Sequence, residues 1–289
     1  MEYRYYSGID PNQGGIGRTA PGGNKTTRDA DDFAMSVWRV EDQRSPGPAE
    51  LVKMIRGIGL TARQMSAVIH REHSLFNFEI VVMDPNGGGL SVRDHLREPM
   101  QDDGAEKFQV TPLITLDDTQ MQGAGDPRLV LFGRSDSRIK RVMVSMPSES
   151  YPINKAHEIF RGALEGTPQR VRFPTRWDGW AGRNQFSSSD QMRAHIDAQH
   201  GLTGRARAAA EIDLALFQLI TVDRRMETDG VRVYQDKHGM YEFLSTCKKD
   251  SAYAMVYGYF ALWIASEERR IAEQSTGQEP EFVISVQQA

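Results

Sequence analysis

The sequence predicts an α+β protein that is dominated by helices after residue 150 and has a small mixed or antiparallel sheet in its middle. Three observations indicate this class. Apolar residues recur at helical spacing in the second half of the chain, as at Ile212, Leu216 and Leu219. Short runs of aromatic and β-branched residues between positions 76 and 146 are typical of strands. The composition of both ends predicts flexible N- and C-terminal extensions.

The predicted organisation is an arm, one globular core and a tail. Six glycines and two prolines lie between Ser7 and Thr27, where almost no large apolar side chain occurs. Such a composition buries too little surface to offset the entropy lost on ordering. We therefore expect a flexible arm that a neighbouring subunit holds in an assembly. The predicted parts are an arm at 1–32, a core at 33–276 with an α+β part at 33–150 and a helical part at 151–276, and a tail at 277–289.

In the first half, periodicity and turn residues predict the elements in turn. Asp32 to Val40 is predicted as a short element that ends before the Pro-Gly-Pro sequence at 46–48. Two helices are predicted next, because their apolar residues share one helical face. Pro48 opens the first, which extends to about residue 58, and Thr61 caps the second, which extends to about residue 70. Strands are predicted at 76–83, 108–116, 129–132 and 139–146, with one or two helical turns at 92–100.

In the second half, four helices are predicted, with two short strands before the last. The last helix contains a run from Ala252 to Ala265 that is apolar around its whole circumference. Such a helix is buried on all sides, either in the core or against a neighbouring subunit. The run has fourteen residues, which is too short to span a bilayer. The helices are predicted at 154–164, 187–199, 203–225 and 250–274, and the strands at 231–233 and 240–244.

Positive charge is concentrated in one part of an acidic chain. The protein has 35 lysines and arginines against 39 aspartates and glutamates. Between Arg128 and Arg183, however, eleven cations outnumber five carboxylates, and nine of the eleven are arginine. Because the guanidinium group presents a planar fork to phosphate, this clustering predicts a polyanionic partner.

The densest part of this basic segment is the loop from Arg170 to Arg183, which combines arginines with two tryptophans. Aromatic side chains stack on unpaired bases, at ~1–3 kcal/mol per base, so the mixture suits single-stranded nucleic acid better than a duplex. The alternative is that the tryptophans fix the loop on the core while the arginines pair with carboxylates of the acidic flanks. The predicted nucleic-acid-binding residues are Arg138, Lys140, Arg141, Arg170, Arg172, Arg176, Trp177, Trp180 and Arg183.

The sequence predicts no catalytic residue, no metal site and no cofactor. Its seven histidines have no third ligand at a diagnostic spacing, and the single cysteine, Cys247, has no partner. The glycine-rich stretch before Lys25 lacks the preceding strand and the spacing of a phosphate-binding loop. The adjacent carboxylates Asp102-Asp103 and Asp117-Asp118 are of the type that binds Mg²⁺, but solvated acidic loops are the favoured interpretation.

These observations favour a structural, self-assembling protein that coats or packages single-stranded nucleic acid, as viral coat and nucleocapsid proteins do. The predicted partners are RNA, in preference to DNA, and copies of the same chain through the arm and the tail; no membrane partner is predicted. Two alternatives stay open. One is an enzyme that acts on a phosphate-bearing or nucleic-acid substrate, with its acid or base drawn from His157, His195 or His200. The other is a monomeric accessory or regulatory binding module.

The N-terminus lacks the apolar run of a signal peptide. One cysteine also excludes a disulfide within the chain, which fits a reducing compartment. We therefore expect a cytoplasmic location or an assembled virion.

Overall fold

In the computed structural model, the chain folds around a six-stranded sheet with helices on both faces. The structure describes residues 2–11, 32–41, 48–84, 88–111, 113, 143–145, 150–168, 170–174, 186–228 and 250–275. Their strands are β1 (Tyr3–Asp10), β2 (Phe33–Glu41), β3 (Ala49–Gly57), β4 (Ile80–Met83), β5 (Met100–Asp102), β6 (Lys107–Gln109), β7 (Met143–Ser145) and β8 (Val171–Arg172). Their helices are α1 (Ala62–Phe76), α2 (Gly89–Leu96), α3 (Ser150–Glu165), α4 (Ser189–Ala198), α5 (Gly204–Thr228) and α6 (Asp250–Ser275).

The main sheet has the strand order β7-β4-β1-β2-β3-β8, and β5 and β6 form a separate antiparallel pair. Strands β1, β2 and β3 are antiparallel neighbours. On the other side of β1, strands β4 and β7 run parallel to it, and β8 runs parallel to β3 at the opposite edge. The sheet is therefore mixed, and the predicted α+β class with helices dominating after residue 150 is confirmed.

Strand β1 corrects the predicted N-terminal arm. The composition predicts a flexible extension at residues 1–32, but Tyr3–Asp10 form a strand at the centre of the sheet. Tyr6 and Ile9 are fully buried in the hydrophobic clusters on opposite faces of that sheet. The prediction was wrong here because the glycine-rich composition of the following stretch was extended over a short strand that precedes it. Residues 12–31 lie outside the described residues.

The segment predicted as a helix from Pro48 is strand β3. Its apolar residues imitate helical spacing because the pairing with β2 contains an irregularity, where Val37 pairs with Lys53 but Trp38 pairs with Leu51. The skipped residue turns the strand, so that Leu51 and Met54, three positions apart, both join the same buried cluster. A bulge thus produces the pattern that the sequence analysis assigns to a helix.

Helix α1 begins where the sequence predicts. Thr61 is its N-cap, and the Thr61 Oγ1 atom accepts a hydrogen bond from the backbone N–H of Gln64 at 3.2 Å. In return, Gln64 Oε1 accepts the backbone N–H of Thr61 at 3.0 Å, which completes a capping box. Helices α3 to α6 also match the four predicted helices to within a few residues. The strands predicted at 129–132, 231–233 and 240–244 lie outside the described residues.

Two hydrophobic clusters lie on the two faces of the sheet. Helices α1 and α2 cover one face, where Phe33, Met35 and Ile69 are fully buried. Helices α3, α5 and α6 cover the other face, around Trp38 and Phe160. The indole of Trp38 lies edge-on to the rings of Phe160, Phe173 and Tyr259. The sheet is therefore buried on both sides.

Helix α6 is the main cover of the second face. Trp38 Nε1 donates to the carbonyl oxygen of Met255 at 3.1 Å, and Ser36 Oγ donates to that of Ala254 at 2.6 Å. A Cβ atom on Gly8 would overlap the backbone of Gly258, so the helix lies directly against the sheet. The predicted burial of the apolar run is confirmed, within the core of the same chain. None of the described helices is long and apolar enough to cross a membrane.

Candidate active site

The residues predicted to bind nucleic acid fall mostly outside the described part of the chain. Arg170 and Arg172 are described, and both side chains are exposed at the edge strand β8. This strand pairs with the beginning of β3, where Ala49 N–H donates to the Arg170 carbonyl oxygen at 2.9 Å. The residues outside the described ranges are Arg138, Lys140, Arg141, Arg176, Trp177, Trp180 and Arg183. The interface they were predicted to form therefore stays a prediction.

A different group of residues converges at the opposite end of the sheet. Strands β1 and β4 are parallel neighbours, with Ile9 paired to Met83. Asp10 and Asp84, the next residue along each segment, therefore lie at the same end of the sheet. The backbone N–H of Asp84 donates to the carbonyl oxygen of Ile9 at 3.2 Å. In sheets with parallel strands, binding sites lie at the carboxyl ends of those strands. Both aspartates are partly buried at such ends.

The two carboxylates lie on the face of the sheet that α6 covers. Side chains alternate between faces along a strand, and Gly8 and Val82 belong to the α6 face. Asp10 and Asp84, each two positions further on, therefore point to that face as well. Two carboxylates side by side repel one another unless a cation or a proton lies between them.

A third carboxylate, that of Asp250 in α6, lies at the same end of the sheet. The helix runs antiparallel to β1, because Ala254 and Gly258 lie over Gly8 while Arg269 near its other end donates to Tyr6 Oη at 3.2 Å. Its first residue, Asp250, therefore lies at the carboxyl ends of β1 and β4. Asp250 is buried, and its Oδ2 atom accepts the backbone N–H of Asp32 at 3.0 Å.

Two tyrosines of α6, Tyr253 and Tyr257, lie close to these carboxylates. Tyr257 Oη donates to Asp84 Oδ2 at 3.4 Å, and the Tyr253 and Tyr257 rings stack with centroids 5.7 Å apart. Burial, and then the negative charges of Asp10, Asp84 and Asp250, raise the pKa of Tyr253. Burial and the charges of Asp10 and Asp84 likewise raise the pKa of Tyr257. Each phenol thus lies within the field of the carboxylates.

The start of α2 is closely packed against the ends of both strands. A Cβ atom on Gly89 would overlap the carbonyl oxygen of Asp84 and would lie 3.2 Å from Cγ of Pro11. The residue before it, Gly88, has a φ of 111°, which a side chain would strain. Glycines at these two positions therefore let the start of α2 approach the ends of both strands.

Among the described residues, no three His, Cys, Asp or Glu side chains are close enough together to form a ready-made metal cage. The candidate residues are therefore the two aspartates at the ends of neighbouring parallel strands, Asp10 and Asp84. Such a pair is sufficient for Mg²⁺, which usually keeps several waters and takes one or two protein carboxylates together with substrate phosphates.

The histidines of the sequence analysis are not gathered at one place. The His157 ring lies edge-on to that of Tyr253, with centroids 5.6 Å apart. It therefore contacts a tyrosine that lies near the carboxylates. His195 instead packs against Phe186 and contacts Gln199 in helix α4. His200 follows that helix in a turn. Of the three, only His157 neighbours the candidate site.

Of the two acidic pairs, the structure describes Asp102-Asp103, where Asp103 is a turn residue. Asp103 Oδ1 accepts the backbone N–H groups of Ala105 and Glu106, both at 2.9 Å. These bonds, with a smaller contribution from Arg71, lower the pKa of Asp103, as is typical of a turn residue. Asp117 and Asp118 lie outside the described residues.

Sequence reasoning missed Asp10 and Asp84 although both share a signal. Asp10 is the last residue of β1, Asp84 directly follows β4, and each precedes a proline, in the sequences Gly-Ile-Asp-Pro and Val-Met-Asp-Pro. Asp10 falls within the predicted arm and Asp84 just after the strand predicted at 76–83, so the sequence does not show that the parallel pairing of β1 and β4 brings them together. No family model, no curated protein and no solved structure matches the chain.

Proposed function

We propose that this protein is a divalent-metal-dependent enzyme that hydrolyses phosphodiester bonds in nucleic acid. Asp10 and Asp84 would hold the metal ion. The observation that carries the proposal is the parallel pairing of β1 and β4, which brings Asp10 and Asp84 to the same end of the sheet, where Tyr257 donates to Asp84.

The chemistry follows from what a bound divalent cation does to a phosphate ester. A water oxygen forms a bond to phosphorus, the bond from phosphorus to the ester oxygen breaks, and the departing oxygen takes a proton. The cation offsets the negative charge of the phosphate oxygens and lowers the pKa of a water bound to it. Asp10 and Asp84 orient the ion, while the surrounding sheet and helix fix their positions.

Two features support nucleic acid as the substrate class. A metal ion held by only a pair of carboxylates leaves coordination positions for the phosphate oxygens of a substrate. The chain also carries its net positive segment between Arg128 and Arg183, of which Arg170 and Arg172 are exposed. A cationic segment attracts a polymer of phosphates more strongly than a single phosphate group, because each neutralised phosphate adds to the binding.

Cleavage of labelled oligonucleotides tests the proposal. The full chain is incubated with single-stranded DNA, single-stranded RNA or duplex DNA, in Mg²⁺, in Mn²⁺ or in EDTA. We expect cleavage that requires the divalent ion and is lost in Asp10→Asn and Asp84→Asn, each of which keeps the size of the side chain. Asp94→Asn is the matched control, since this aspartate is exposed on α2. Cleavage that persists in both variants, or in EDTA, would contradict the proposal.

The coat-protein interpretation stays a prediction. It depends on the loop from Arg176 to Arg183 and on the tail from residue 277, both outside the described residues. Within the predicted arm, Tyr3–Asp10 belongs to the sheet of its own chain. Light scattering distinguishes the two functions, because a coat protein forms large particles or filaments whereas the enzyme proposed here has no need of them.

A further inference from the structure

We infer that helix α4 is a strap that detaches from the end of the main sheet while the sheet itself stays folded. An ionic junction between α4 and the strands holds the strap in place. The inference does not depend on the proposed function, because neither Asp10 nor Asp84 takes part in the junction.

The apolar residues of α4 pack on a neighbouring helix instead of on the sheet. Met192 and Ile196 are fully buried, and they form a cluster with Ala210 and Leu214 of α5. Among the described residues, this cluster includes none from the strands and is separate from the two clusters that lie on the sheet. A helix of ten residues is not stable alone in water, so α4 loses its helical hydrogen bonds when it leaves these contacts.

Ion pairs connect α4 to the strands. The Asp197 carboxylate, near the end of the helix, binds Arg56 of β3 through both of its oxygens, with 3.2 Å between Oδ2 and Arg56 Nη1. One turn earlier in the helix, Arg193 Nη1 donates to Oδ2 of Asp32 at 3.1 Å, immediately before β2. The junction thus has one acidic and one basic side chain on α4, and each faces its opposite charge on the sheet.

The sheet side of the junction keeps its own ion pairs when α4 leaves. Arg56 and Asp32 are 2 % and 3 % exposed, whereas Asp197 is 31 % exposed. Arg56 Nη1 also donates to Asp32 Oδ2 at 3.2 Å, and Arg56 Nε donates to Glu211 Oε2 at 3.0 Å. Detachment therefore leaves no buried charge alone, and water solvates the two charged groups that depart. Because removing charges from water costs about as much as their attraction returns, this junction opens more readily than an apolar layer does.

The connection from α4 to α5 gives the strap a place to turn. Residues 199–203 join the two helices and include Gly201, and α5 begins at Gly204 with a φ of 56°, a value that favours glycine. A Cβ atom added at either glycine would meet nothing within 4 Å. Neighbouring atoms therefore do not block a rotation of the chain here.

Amide hydrogen exchange of the full chain, in increasing but non-denaturing concentrations of urea, tests the inference. We expect the amides of α4 to exchange at least about tenfold faster than those of β2 and α6. Their exchange should depend little on urea, because opening one short helix exposes little surface, whereas the amides of β2 and α6 should follow global unfolding. Equal rates and equal urea dependence in α4, β2 and α6 would overturn the inference, and this comparison needs no variant.

The variant Asp197→Asn tests the ionic junction itself. It keeps the size of the side chain but removes the charge that Arg56 binds, so the amides of α4 should exchange about tenfold faster than in the wild type. Glu158→Gln is the control, since its ion pair with Lys155 is exposed and lies within α3, and its α4 exchange should equal that of the wild type. An unchanged α4 rate in Asp197→Asn would also overturn the inference. None of these readouts involves cleavage of nucleic acid, so a failure here leaves the proposed function intact.

Discussion

Tyr257, in the middle of helix α6, donates a hydrogen bond to Asp84, at the end of strand β4, over 3.4 Å. The contact joins a helix that is largely buried to the end of the sheet where β1 and β4 finish. It also gives the Asp84 carboxylate a neutral donor. The side chains of Tyr257 and Asp84 thus link α6 to the end of β4 at the candidate site.

We expect Tyr257→Phe to weaken metal binding with little loss of stability. The change removes one donor to Asp84, and a single hydrogen bond contributes about 1 kcal/mol to stability. The orientation of the carboxylate should suffer more, so the Mg²⁺ midpoint for cleavage should rise. Tyr259→Phe is the control, since that ring packs on Trp38 and Phe160 away from the carboxylates. Equal Mg²⁺ midpoints in the two variants would refute this role of Tyr257.

We expect Asp84→Asn to raise the melting temperature of the metal-free protein. The substitution removes one of two neighbouring negative charges and so relieves their repulsion. Functional sites commonly lower the stability of a fold in this way. The same variant should lose the stabilisation that Mn²⁺ gives to the wild type, about 2.7 kcal/mol when the ion is at a hundred times its Kd. Thermal unfolding with and without Mn²⁺ measures both effects. A metal-induced shift that survives in the variant would argue against Asp84 as a ligand.

We expect Gly258→Ala to destabilise the fold by about 1–3 kcal/mol, the usual cost of overpacking. A Cβ atom there would overlap Ser36 Oγ and the indole of Trp38. Gly162→Ala in α3 is the matched control, because nothing lies within 4 Å of the added atom. Alanine is a better helix former than glycine, so this control should be stabilised by up to about 1 kcal/mol. Urea unfolding compares the two, and similar midpoints would show that α6 is not so tightly packed.

We expect His70 to make the protein less stable in mild acid. Burial lowers the pKa of its imidazole to about 4, and its Nε2 atom lies 3.2 Å from the Leu96 carbonyl oxygen. Between about pH 6.5 and pH 4 the unfolded chain therefore binds a proton that the folded protein does not. Stability is complete above that range and falls as the pH drops through it, by about 3 kcal/mol at most.

Urea unfolding of the wild type and of His70→Gln at several pH values measures this contribution. Other groups titrate equally in both proteins, so the difference between their curves isolates the imidazole. That difference should shrink from pH 7 towards pH 4. Parallel curves would mean that His70 does not titrate as its burial indicates.

The sequence predicted features that depend on local chemistry, such as a helix cap. It missed features that depend on the pairing of distant strands. Thr61 is a cap whose own side chain binds the helix it precedes, so it was found from the local sequence. Tyr3–Asp10 is a strand only because β2 and β4 flank it, and no local pattern reveals those partners. Leu51 and Met54 share a face because of a bulge opposite Trp38. Their three-residue spacing, taken alone, predicts a helix.

The candidate site was missed for the same reason. Asp10, Asp84 and Asp250 are far apart in the chain, and each is unremarkable in its own segment. Only the parallel pairing of β1 with β4, and the antiparallel course of α6 above them, make them neighbours. The arginines of the basic segment, in contrast, are conspicuous in sequence because they cluster between residues 128 and 183.

The hydrogen bond from Ser36 to Ala254 joins residues 218 positions apart. On a ribosome, the two central strands leave the exit tunnel long before the helix that covers them has been translated. Until then, one face of β1 and β2 has no α6 to cover it, and contacts between such distant residues make folding slow. Nascent chains of this protein should therefore expose Trp38 and its neighbours to chaperones and proteases until α6 has been translated.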